Sequence, residues 1–164
     1  MIIRRFQASQ AEEVAELIKR NLLEITSQYY SPEYVVSLIG HHSPMQLLEK
    51  AKTQRMFVAM EDGKAVGTGS LTNLGTPEAP SYYGTAIFVA LEFHRKGIGR
   101  RIMQKVEEKA LELGADKITV RAAVNARPFY EKLGYIYRDG IEMPDERGNF
   151  VMDKELIAKY YSEE

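Results

Sequence analysis

The chain contains no cysteine among its 164 residues. That absence excludes a disulfide framework, a thiol nucleophile and a cysteine-ligated zinc site, and with them covalent catalysis through sulfur. It also lacks a long apolar run, so nothing approaches the roughly 20 residues that a membrane-crossing helix needs. The opening "MIIRRFQASQ" places two arginines after three apolar residues and never develops the apolar core of a signal peptide. A cytoplasmic protein is expected. An excess of charge of one sign is missing too: 22 Lys and Arg stand against 23 Asp and Glu, for a formal charge of -1 and a pI near 6.3. Neither a nucleic acid nor a membrane surface is an expected partner, and any basic site must be local.

What is present suits one domain spanning residues 1–164, with 45% hydrophobic and 27% charged residues and enough chain to bury a core without staples. "MIIRRF" reads as a first strand, and Ser9 to Glu12 matches a capping box ahead of a helix. Val14, Leu17, Ile18, Leu22 and Ile25 recur at helical spacing and predict that helix through about Ser27. Ser31-Pro32 starts a second, shorter helix. "GHHSP" interrupts it before a third piece that runs to about Lys52. His41 and His42 lack the i, i+4 spacing of a helical metal pair, and no metal is expected.

The period then changes. "RMFVAMEDGKAVGTGSLT" holds two β-rich runs separated by Asp62-Gly63, a strong hairpin signal. A Gly/Pro loop, Asn73 to Ser81, leads to a longer strand from Tyr82 to about Leu91. Ile98, Ile102, Met103, Val106 and Ala110 line one face of a long helix that Gly114 closes. "KITVRAAV" reads as a strand, and "NARPFYEKLG" as a short helix capped by Asn125 and ended by Gly134. "YIYRD" and "FVMDKEL" finish as strands. This order predicts an α/β fold, a mixed sheet with helices on both faces.

Between the central strand and the long helix lies "EFHRKGIGRR", Glu92 to Arg101. A helix amino terminus offers unpaired amides and partial positive charge, and glycines let a ligand approach them. Arg95, Lys96, Arg100 and Arg101 add charge suited to a diphosphate. As mere surface they oppose the helix dipole. A dinucleotide fingerprint fails at Ile102 and by its place in the chain, and a P-loop fails for want of Gly-Lys-Ser/Thr.

"AIFVALEFHRKGIGRRIM", followed some thirty residues later by "ARPFYEKLGY", resembles the GCN5-related N-acetyltransferase (GNAT) family, and the order of elements is similar over nearly the whole chain. The resemblance implies an acyl-CoA N-acyltransferase fold, with a mostly antiparallel central sheet splayed at its middle. It implies acetyl-coenzyme A as cosubstrate and transfer of acetyl to a primary amine of a small molecule or peptide by direct attack. The loop amides of Gly97, Ile98, Gly99 and Arg100 would hold the pyrophosphate, with Arg95 and Lys96 close by. His94 stands where the family has Gln or Arg; it can donate a hydrogen bond, but its charge is less fixed.

Backbone groups of Ile87, Phe88 and Val89 would pair with the pantetheine arm and face the acetyl carbonyl, where an amide stabilises oxyanion charge. Tyr130 would protonate the leaving thiolate, since a phenol with an ordinary pKa near 10 is protonated at neutral pH. Ala123 replaces a polar residue of many members, a contact that Asn125 would have to supply. Deprotonating an alkyl ammonium at pH 7 costs roughly 4 to 5 kcal/mol. Glu24, Glu33, Glu78, Glu92 and Tyr83 are the bases or water-holders the sequence offers, though such residues are more often solvated surface or packing groups. The acceptor is expected between "EITSQYYSPEY" and the loops after Leu74 and Gly140, where Tyr29, Tyr30 and Tyr34 line the pocket or simply pack. A non-catalytic acyl-coenzyme A binding or sensing domain would keep "HRKGIG" without depending on Tyr130, and a homodimer through sheet edges is compatible with the pattern.

Overall fold

Alternation along one central strand sets the architecture. In β2 (Arg55–Glu61), Met56 and Val58 point to one side of the sheet and Phe57 and Ala59 to the other, and each pair is buried in a different apolar cluster. A strand buried on both faces requires a layer on each. The computed structural model, which describes residues 1–161, supplies them.

β1 (Ile2–Arg5), β2, β3 (Lys64–Asn73) and β4 (Tyr82–Val89) form an antiparallel run. β4 then pairs in parallel with β5 (Lys117–Ala122), and β5 pairs antiparallel with β7 (Phe150–Glu155), which carries β6 (Ile136–Tyr137) on its outer edge. The order among the described residues is β1-β2-β3-β4-β5-β7-β6.

One face is covered by α1 (Ala11–Glu24), α2 (Pro32–His41) and α3 (Pro44–Lys50), through Val14, Ile18, Leu22, Val35 and Leu47. The other is covered by α4 (Ile98–Glu112), with Ile102, Met103, Val106 and Ala110 fully buried, and by α5 (Arg127–Lys132). Among the described residues, no helix is long and apolar enough to cross a membrane.

Local expectations need four corrections. Ser9 and Glu12 form no capping box: residues Ala8–Gln10 make a 3-10 turn before α1, and the Gln7 amide donates to Gln10 Oε1 at 2.9 Å. The sheet holds the chain as far as Phe6, whose amide donates to the Met56 carbonyl, so a tight turn must lift it off first. α1 stops at Glu24 and continues as a second 3-10 turn, Thr26–Gln28. Asn125 does not cap α5; it lies inside a 3-10 turn, Val124–Ala126, and Ala126 precedes the helix without a side-chain cap. "YIYRD" yields only two strand residues, because Arg138 turns in to grip Asp153 through Nε at 3.0 Å and a second nitrogen at 2.9 Å.

The feature that positions the site is the parting of β4 from β5. Only Tyr83 and Gly84 pair with β5, opposite Thr119 and Val120. Beyond them the strands diverge, which leaves the β5-facing backbone of β4 without a neighbour. The same stretch is bulged: Thr68 pairs with Phe88 but Ser70 with Thr85, so Ala86 and Ile87 oppose Gly69 alone. Ala86 takes φ 53 to do so.

Candidate active site

Four cations crowd the positive end of α4. Arg95, Lys96, Arg100 and Arg101 are exposed, and none has a carboxylate partner among the described residues. Lys96 lies over the Phe93 ring at 5.2 Å. Gly97, at φ 79, is the left-handed residue that starts the helix, and no side chain caps it. The first helical hydrogen bond is donated by Arg101 to the Gly97 carbonyl, so the amides of Ile98, Gly99 and Arg100 meet no acceptor among the described residues.

The two glycines differ in their reasons. Gly97 has open space where a Cβ would be, consistent with access from solvent. At Gly99 a Cβ would lie 3.0 Å from Phe129, so this glycine seats the ring from α5. Phe129 in turn meets Tyr130 edge to face at 5.0 Å. The two sequence motifs are therefore packed against one another.

His94 lies at the top of β4. Its Nε2–H donates to the Val89 carbonyl at 2.8 Å, so the donor expected to reach outward is turned onto the strand. Ala90 donates to the Val66 carbonyl, so alternation turns the Val89 carbonyl away from β3, toward the gap left by β5. Ile87 and Val89 pack on the α4 side, while Phe88 packs on the α1 side against His42 at 5.9 Å. The side chains of Ile87, Phe88 and Val89 are thus packing groups, as a strand buried on both sides requires.

Where β4 and β5 part, a cleft of about 240 Å³ passes between the layers. Leu22, Thr26, Tyr30, Tyr34 and Leu38 form one wall; Tyr83 to Phe88, including the bulge, form its floor; Arg121, Ala123, Ala126, Tyr130 and Asn149 close the rest. Tyr30 ties these walls together. Its hydroxyl donates to the Asn149 side chain at 2.8 Å or the Gly148 carbonyl at 2.9 Å and accepts from the Val124 amide at 2.9 Å. Asn149 Nδ2 donates to the Tyr34 hydroxyl at 3.0 Å. Burial raises the Tyr30 phenol above its ordinary pKa, partly offset by the Val124 amide.

Tyr130 is 7% exposed, and its hydroxyl has no hydrogen-bond partner among the described residues. Among the described residues no fully enclosed side-chain oxygen or nitrogen lacks a partner, so this hydroxyl must be the part that reaches the cleft. Burial alone pushes the phenol well above its ordinary pKa, which keeps it protonated.

The expected acceptor region is largely where the cleft lies, with Thr26, Tyr30, Tyr34, Leu74 and Asn149 in its walls. Tyr29 is exposed and is not one of them. Of the five bases the sequence offers, only Tyr83 lines the cleft; Glu24 and Glu92 both pair with Arg20, and Glu33 and Glu78 face solvent. Asn125 is exposed outside the cleft walls. Sequence reasoning missed Arg121, Asn149 and Ala86. Arg121 lies within "KITVRAAV", which reads only as a strand; it is exposed at the cleft border, and the β4 gap beside it has no local signature.

Comparisons with known proteins agree with this geometry. The family model described as the acetyltransferase (GNAT) domain matches residues 24–147. YafP, an uncharacterised N-acetyltransferase of Escherichia coli (strain K12), is 25% identical over 133 residues, covering 81% of this chain and 79% of that protein. Among solved structures, the PaiA N-acetyltransferase of Thermoplasma acidophilum in complex with coenzyme A superposes with a TM-score of 0.80 at 19% identity, over 94% of this chain and 98% of that one. An aminoglycoside 6'-N-acetyltransferase complexed with coenzyme A superposes with a TM-score of 0.71 at 15% identity, over 96% and 98%. The two solved structures share the fold of this chain, as the resemblance implied. The chain belongs to the GCN5-related N-acetyltransferase family, enzymes that take acetyl from acetyl-coenzyme A.

Proposed function

We propose that the cleft carries acetyl from acetyl-coenzyme A to a primary amine of a small molecule or peptide by direct attack, with no covalent enzyme intermediate. One observation carries this reading. Unpaired amides and unpartnered cations open α4 beside a free β4 edge, which leads to the Tyr130 hydroxyl in the cleft.

The amides of Gly97, Ile98, Gly99 and Arg100 hold the diphosphate, and Arg95 and Lys96 neutralise it from the loop. This explains why cations gather at a helix end whose dipole they oppose. The backbone of Ile87, Phe88 and Val89 takes the extended arm of the donor, and the bulge aims an amide at the acetyl oxygen, where negative charge develops. Before the arm can use the Val89 carbonyl, His94 must release it.

The amine nitrogen attacks the carbonyl carbon, the carbon–sulfur bond breaks, and its electron pair stays on sulfur. Tyr130 gives the sulfur a proton and recovers the one that nitrogen loses, so no net charge is left on the protein. A phenol held well above its ordinary pKa stays protonated and is a poor place to leave a negative charge, which favours this relay over a lasting phenolate.

Tyr130→Phe tests the assignment. Loss of a general acid removes about 10²-fold or more from turnover. Coenzyme A affinity, measured by calorimetry, should stay within about twofold, since the ring and its contact with Phe129 remain. Undiminished turnover would remove Tyr130 from the chemistry; absence of coenzyme A binding in the unaltered protein would remove the whole reading.

A further inference from the structure

The cleft carries one free charge of its own, and it is positive. Ile118, Val120 and Ala122 of β5 are buried toward α4, so Arg121 projects to the other face, where its guanidinium lies 5.0 Å from the centre of the Tyr83 ring and borders the cleft. No carboxylate pairs with it among the described residues. Arg138, on the same face, is in contrast held by Asp153 at 2.9 Å.

Among the described residues, no aspartate or glutamate lines the cleft. The nearby Asp145 is engaged: its Oδ1 accepts from the amides of Arg147 at 2.9 Å and Asn149 at 3.0 Å. Arg127, the other cation close by, does not line the cleft; it lies over the Phe150 ring at 4.1 Å and donates to the Val124 carbonyl.

The wall offers a second donor in the Tyr34 hydroxyl. Tyr34 accepts from Asn149, and its own hydroxyl proton has no acceptor among the described residues. Around these donors the walls are apolar or aromatic: Leu22, Leu38, Phe88 and the rings of Tyr30 and Tyr83. A polycationic acceptor would find no countercharge here and would meet a guanidinium. A small molecule with a carboxylate and an apolar body would find a match for each part.

We propose that the acceptor is a small amine that also bears a carboxylate, with an apolar or aromatic body, and that Arg121, helped by the Tyr34 hydroxyl, grips the carboxylate. The proposal rests on the acetyl-transfer reading of the same cleft. It also bears on deprotonation. With no carboxylate to stabilise an ammonium and Arg121 neutralised by the substrate's own anion, the cleft gives the protonated amine no support and so favours the neutral nucleophile.

The test is release of free thiol from acetyl-coenzyme A with matched acceptors: phenylalanine against phenethylamine, leucine against isoamylamine, and spermidine as a polycation. The unaltered protein should prefer each carboxylated acceptor at least tenfold in kcat/KM, the scale of a charge-assisted hydrogen bond to a guanidinium. Arg121→Ala should bring that ratio toward one, mainly through KM, with coenzyme A affinity by calorimetry retained; Arg121→Lys should restore part of it. Preference for spermidine or a decarboxylated amine, silence with every carboxylated amine while coenzyme A binds, or an unchanged ratio in Arg121→Ala would each overturn the proposal. Loss of coenzyme A binding in the unaltered protein would instead strike the underlying reading.

Discussion

Replacing Gly67 with alanine tests how closely α4 must lie on the sheet for the site to exist. An added Cβ would sit 2.7 Å from Ile102 Cδ1, 3.2 Å from Ile98 Cγ2 and 3.3 Å from the Phe88 carbonyl oxygen. Carbon atoms pack best at about 3.5–4.0 Å, so the nearest contact must open by about 1 Å. Ile102 is wholly buried and cannot swing into solvent. Overpacking of this kind costs about 1–3 kcal/mol. A loss of 2 kcal/mol lowers the Tm of a domain this size by about 4–8 °C.

The offending atom can be removed on its own. Ile102→Val deletes Cδ1 and costs about 0.5–1.5 kcal/mol singly. In the Gly67→Ala background the same deletion makes the room that the new methyl needs. The double variant should therefore be more stable than the sum of the singles predicts, by about 1 kcal/mol or more, in urea midpoints measured at constant m. Because Ile98 opens α4, Gly67→Ala should also weaken coenzyme A binding, and the double variant should recover it. Additivity within about 0.5 kcal/mol, or a Gly67→Ala protein of undiminished stability, would refute the packing argument.

Two further outcomes follow from groups near the cleft. Burial beside Phe88 lowers the His42 pKa to about 4, with the Leu38 carbonyl opposing and Lys50 and His41 adding to the fall. The folded protein favours neutral imidazole, so this stabilisation is complete above pH 6.5 and is lost as pH falls toward 4, to about 3 kcal/mol in all. His42→Gln should flatten the urea midpoint against pH in that window; an identical slope in both proteins would contradict it. Ala86 holds φ 53 inside β4, a conformation costing an alanine about 1–2 kcal/mol. Ala86→Gly should therefore be neutral or stabilising by up to about 1 kcal/mol after the added chain entropy of glycine, and a clear loss in thermal denaturation would show that the bulge needs the methyl.

Element types were largely legible along the chain. The i, i+3, i+4 recurrence from Val14 to Leu22 and from Ile98 to Ala110, the Asp62-Gly63 hairpin and the Ser31-Pro32 helix start all act through neighbours a few residues apart. Errors gathered at ends, where Phe6 or Arg138 answers to a distant strand. The glycine loop and the "ARPFYEKLGY" helix were legible as motifs. That Gly99 makes room for Phe129, and so locks one motif onto the other, was not.

The sequence by itself determined which segments are helix or strand, which faces are apolar, and that unpaired amides and cations open the long helix, because each of these depends on local period and local charge. The tertiary structure decided which polar groups are free and which are spent. Glu107 is buried at 3% exposure, accepting from Tyr135, Tyr161 and Lys154, while Arg121 beside the cleft has no carboxylate partner among the described residues. Those outcomes depend on residues tens of positions apart meeting across layers, and on β4 leaving β5 after two paired residues; no short stretch of chain encodes either.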